Sequence, residues 1–127
     1  MANQKPNNVV RIPCTLDSFF RYWFMFLEPF HKLTPREQEV VACFIKHRYY
    51  LSKVIKDSEI LEKVVMSDDT KKKVREECQI NLPYFQVIMG KLRTNNIIVN
   101  NKLNPKFLPN LEDENAPFQL LLLFDMK

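Results

Sequence analysis

The chain has 127 residues, 46% hydrophobic and 27% charged, with ten Phe, which is enough apolar material for one packed domain and excludes intrinsic disorder. Its formal charge of +4 and pI near 9.0 are milder than those of proteins that concentrate charge for nucleic acid, and a single Gly argues against a glycine-rich phosphate cradle. Three widely spaced cysteines, Cys14, Cys43 and Cys78, do not make a disulfide framework and are expected to be reduced thiols, mostly buried.

In chain order, residues 1–14 read as an extended arm. They contain no apolar run of the kind a signal peptide needs. Thr15 then caps a helix over about 16–27, with Asp17 and Ser18 in its first turn. Phe19, Phe20, Tyr22, Trp23, Phe24, Phe26 and Leu27 do not fit one stripe, so this helix is expected to be covered on more than one side. The FFRYWFMFLEPF stretch is too short to span a bilayer, and the protein is expected to be soluble with no membrane partner.

Glu28-Pro29 closes that helix, and His31 reads as a linker residue. LTPREQEVV is the clearest helix start: Thr34 caps, Pro35 takes the first position and Glu37 completes a capping box. Its core stripe is Val40, Val41, Phe44 and Ile45, with the stem of Arg48, running to about Tyr50. Cys43 and His47 lie four apart, the spacing of two metal ligands. No second pair completes a tetrahedral set in the sequence, so core packing is the reading and no metal or other cofactor is expected.

A helix over about 58–66 follows Asp57, with Ile60, Leu61, Val64 and Val65 inward. Ser67 caps the next, SDDTKKKVREECQ, whose thin apolar side is Val74 and Cys78. After a tight turn at 79–81, Asn81 caps a helix with Leu82, Phe85, Met89 and Leu92 at core spacing. Asn95-Asn96 ends it, and a hairpin over 97–103 turns at Asn100-Asn101, which suits a type I′ turn.

The order of helices, turn, helix and hairpin predicts a mainly α fold with a small β part: a winged helix-turn-helix-like domain over 15–109 between extended arms. Residues 110–127 form an acidic tether, with Glu112, Asp113 and Glu114, followed by a C-terminal strand. FQLLLLF has leucine without alternation, which predicts a strand covered on both faces by the N-terminal arm or by a neighbouring molecule.

Two surfaces follow. The candidate protein interface is Phe19, Trp23, Tyr84, Val87, Phe118, Leu120, Leu121, Leu122, Leu123 and Phe124. The alternative reading is a winged-helix DNA-binding regulator of phage or host transcription, with Lys71, Lys72, Lys73, Lys91, Arg93 and Lys102 as its candidate DNA contacts. The second helix of the helix-turn-helix would show Tyr84, Gln86, Val87 and Gly90, of which only Gln86 suits base readout. Its chemistry favours protein over a groove. The chain carries no nucleophile elbow, P-loop or facing carboxylate pair, Glu76 and Glu77 being adjacent, so no catalytic residue is assigned.

The stretches SFFRYWFMFLEPFHKLTPREQEVVACFIKHRYYLSKVI, SDDTKKKVREECQI, FQVIMGKLR and KLNPKFLPNL carry a resemblance. From about Val10 to Leu123 the chain resembles small conserved proteins encoded by crAss-like phages of Bacteroidales. The resemblance implies a virion component with a winged-helix-type core, a ring or connector subunit of the portal-tail neck. It also implies assembly in the host cytoplasm with copies of itself in a symmetric ring, contacts with portal and other neck or tail proteins, and at most weak nucleic-acid binding.

Overall fold

Six consecutive residues of one helix, Val40 to Ile45, are buried, and at about 100° per residue they close more than a full circle. This helix, α3 (Pro35–Ser52), is the axis on which the others pack. In a computed structural model that describes residues 9–111 and 117–126, it is preceded by α1 (Leu16–Phe26) and a single turn, α2 (Glu28–His31). After it come α4 (Ser58–Val65), α5 (Asp68–Glu77), α6 (Leu82–Thr94), an antiparallel pair β1 (Ile98–Val99) and β2 (Lys102–Leu103), and a 3-10 turn at Pro105–Phe107. The protein is thus mainly helical with a small two-stranded sheet.

Helix α3 packs against α1, α4, α5 and α6, and β2 closes on α4. A stripe was expected on α3, and the apolar surface instead runs all round it. Helix α1, expected to be covered on more than one side, sends Phe20 and Phe24 into the core and holds Phe19 and Trp23 against Phe118 of the C-terminal segment, while Arg21, Met25 and Phe26 face solvent. A helix among four neighbours, as α3 is, needs apolar residues all round.

The starts are local chemistry. Thr15 and Thr34 each make a capping box, with Ser18 and Glu37, and Asp57, Ser67 and Asn81 accept from backbone N–H groups of the following turn. The reversals use left-handed residues: Lys32, Gln79, Asn96, Asn100 and Asn101 all have positive φ. Asn100 and Asn101 together give the type I′ geometry, and Ile98 pairs with Leu103.

Two inward assignments and one linker assignment need correction. Ile60 and Leu82 are exposed, because the first turns of α4 and α6 project past the core edge. His31 is no linker: it is 3% exposed, with its Nε2 2.6 Å from the carbonyl of Phe24 and its Nδ1 accepting from Leu33 N–H at 2.9 Å. Because Nδ1 accepts, Nε2 carries the proton and donates to Phe24, and the imidazole closes the reversal between α1 and α3. Elsewhere, Arg48 grips Glu62 through Nε and Nη2, the shorter contact 2.8 Å, and fastens α4 to α3.

Residues 9–14, the described part of the N-terminal arm, are exposed and form no regular element. The acidic run Glu112 to Glu114 lies outside the described residues.

Gly90 stands inside α6 with helical backbone, and a Cβ there meets nothing within 4 Å. Gly90→Ala should therefore stabilise the fold by about 0.5–1 kcal/mol, read as a higher denaturation midpoint at unchanged slope.

Candidate functional site

Three places gather chemistry: an aromatic corner with the C-terminal segment, the outer side of α5 and α6, and a polar cluster between α3 and α5.

At the corner, Phe118 meets Phe19 edge-on at 5.0 Å and Trp23 at 5.6 Å between ring centres. The Trp23 indole N–H donates to the carbonyl of Phe107 at 2.8 Å. Phe19, Trp23 and Phe118, expected to face another molecule, are therefore half-buried against one another within the chain. At Phe118 the C-terminal segment lies against the aromatic surface of α1 instead of leading outward.

Beyond Phe118 no strand forms, since no backbone ladder joins residues 117–126 to any described part of the chain. The expected strand pairing with the N-terminal arm is likewise absent among the described residues. The leucines are not covered on both faces. Leu120, Leu121, Leu122 and Leu123 are 41%, 69%, 42% and 76% exposed, a period of two, and Phe124 and Met126 are more open still.

On α6, Tyr84 and Val87 are exposed as expected, joined by Leu82. The cations assigned to DNA divide. Lys71, Lys72 and Arg93 line one groove between α5 and α6 with Arg75, Asp68 and Gln86, over Phe85 and Met89. Lys73, Lys91 and Lys102 are exposed but do not line it. Arg75 joins the set because it lies one turn after Lys71 and Lys72 on the same side of α5.

The polar cluster was half visible in the sequence. Cys43 and His47 share a face of α3, and Glu77, at the end of α5, completes the group: their donor atoms all lie within 4.8 Å of one another. Cys43 Sγ donates to Glu77 Oε2 at 3.1 Å, Lys46 Nζ reaches the same oxygen at 3.0 Å, and His47 Nε2 donates to Oε1 at 2.8 Å. Asp17 of α1 adds a longer ion pair to Lys46, at 3.7 Å. Cys78 follows immediately, its thiol 3.9 Å from the carbonyl of Glu39, while Arg36 Nη2 holds the Cys78 carbonyl at 2.7 Å.

These contacts set the ionisation. Burial opposes the charge on Glu77, but the hydrogen bonds from Cys43 and Lys46 and the nearby charge of His47 and Lys46 outweigh it and hold the carboxyl at about 2. The Cys43 thiol is pushed well up by its hydrogen bond with Cys78, then by burial and by Glu77. Cys78 moves down, through the hydrogen bond with Cys43, against burial. Burial acts to lower Lys46, yet its hydrogen bond and charge pairing with Glu77 prevail and raise it. The signal for Glu77 was its place beside Cys78, but sequence distance from α3 concealed the partnership.

Phe118→Ala should free the C-terminal segment without unfolding the domain. Two edge-on aromatic contacts at about 0.5–1.5 kcal/mol each are lost, so protease cleavage after 118 should quicken while helical circular dichroism is retained. No protein-family model matches the chain, and no curated protein or solved structure is similar to it.

Proposed function

We propose that the chain is a non-enzymatic assembly subunit that joins neighbouring proteins through its C-terminal segment. One observation carries this reading. Leu121, Leu123, Phe124 and Met126 stand exposed on an extended stretch whose root, Phe118, is anchored to the domain. Contiguous apolar side chains on a stretch with an open backbone fit strand addition to a partner, where the ladder supplies affinity and alternate side chains supply specificity. Leu82, Tyr84 and Val87 on α6 offer a second apolar surface.

The finer reading is a ring or connector subunit in the neck or tail of a phage particle, in contact with copies of itself, portal and other neck proteins. Its support is the resemblance of the SFFRYWF, VREEC, FQVIMGKLR and KLNPKFLPNL stretches to the crAss-like phage proteins. The winged-helix form of the core is part of this proposal and is supported by the succession of α5, turn, α6 and hairpin. Repeated subunits of that kind assemble through closed rotational symmetry. Mass spectrometry of purified particles tests the location: a chain missing from them is not a connector.

Replacing both Leu121 and Leu123 by Asp should abolish self-association in sedimentation while leaving the helical spectrum and denaturation midpoint unchanged. Loss of folding would instead place these residues in the domain's own core.

The groove of Lys71, Lys72, Arg75 and Arg93 favours a second reading, a winged-helix DNA-binding regulator. It requires duplex affinity that falls steeply with salt, and a much larger loss for Lys91→Ala with Arg93→Ala than for Tyr84→Ala. The apolar α6 face leads us to expect at most weak, sequence-independent binding. Tight salt-sensitive binding to a particular duplex would reverse the order of the two readings.

A further inference from the structure

We propose that Cys43, His47 and Glu77 form a binding site for a zinc-class divalent cation. The donor set is the first ground. A thiol, an imidazole and a carboxylate are the three ligand types that zinc takes from proteins, and here they converge from two helices. Cys43 and His47 are one turn apart on α3, the most buried helix of the fold, so two ligands are preset on a rigid element. Glu77 comes from the last turn of α5, and Cys78 is the residue that caps that helix.

Geometry is the second ground. Metal–ligand lengths of about 2.0–2.3 Å at tetrahedral angles place neighbouring donors about 3.3–3.8 Å apart. The present separations are 3.1 Å for Cys43 to Glu77 and 2.8 Å for His47 to Glu77, with none of the three pairs beyond 4.8 Å. Opening by less than about 1 Å admits the ion, and Glu77, whose side chain is 41% exposed, is the arm free to make that movement. On binding, the Cys43 thiol proton passes to solvent, and His47 binds through Nε2 as the neutral imidazole with its one proton on Nδ1.

The surroundings supply the outer contacts such a site uses. Lys46 already holds and orients the Glu77 carboxylate through Oε2, and Arg36 fixes the backbone of Cys78. Partial exposure of His47 and Glu77 gives the ion a way in. The inference does not depend on the assembly reading, because the cluster lies between α3 and α5 and includes no residue of the C-terminal segment.

The test is zinc loading of the full chain, stripped with chelator under reducing conditions and dialysed against Zn(II). One equivalent per chain by elemental analysis is expected, with a raised thermal midpoint. Co(II) in its place should show a sulfur-to-cobalt charge-transfer band in the near ultraviolet. Cys43→Ser and His47→Gln should each weaken binding at least tenfold, checked for folding by circular dichroism, while Cys14→Ser should leave it unchanged. Substoichiometric zinc in the wild type, or zinc lost with Cys14→Ser and kept with Cys43→Ser, overturns the site. So does a cobalt spectrum without the sulfur band.

Discussion

The continuous burial of α3 is the constraint from which the rest of the fold follows. With Val40 to Ile45 covered on every side, the helix needs walls on all sides, and α1, α4, α5 and α6 provide them. The charged side chains of α3 then stand before and after that stretch. That is where Arg36, Lys46, His47 and Arg48 lie, and each holds a neighbouring element through a carboxylate or a carbonyl. The core supplies cohesion and these marginal contacts supply register. A charged pair leaning on the core edge keeps one partner partly in water, so less desolvation opposes it than in a fully buried pair.

Much of this was legible in the sequence because it is local. Thr15, Thr34, Asp57, Ser67 and Asn81 announce helix starts through interactions within three residues, and Asn100-Asn101 announces a turn through its backbone preference alone. What failed was tertiary. Periodicity says which residues of a helix are apolar but not how many neighbours the helix has, so α3 was read as a stripe. His31 looked like a linker because its partner Phe24, seven residues back, comes within reach only once the chain turns. The same applies to the candidate surfaces. The exposure of Tyr84 and Val87 was legible from helix phase, whereas the packing of Phe118 was not, because nothing local to it reveals Phe19 and Trp23.

The pairing of Cys43 and His47 with Glu77 shows the limit most clearly. Two of the three residues were recognised by their spacing, and they were set aside as packing because the third belongs to another helix. A helix pair brings together residues 34 apart in sequence as readily as residues four apart. Donor sets shared between two helices are invisible to any search for close-spaced motifs. In this chain, the adjacent Glu77 and Cys78 end α5 against the middle of α3, which is what makes the constellation.

The anchoring of Phe118 limits how far the chain can extend its terminal residues. From that pivot, the eight residues from Gln119 to Met126 span at most about 26–29 Å even when fully drawn out. A domain of about 100 residues has a radius of gyration of about 13 Å, which for a sphere means a width of about 34 Å, so residues 119–126 reach no farther from Phe118 than one domain width. On the assembly reading proposed above, these residues can engage only a protein already in lateral contact with the domain, as a latch on an immediate neighbour rather than a line cast to a distant one.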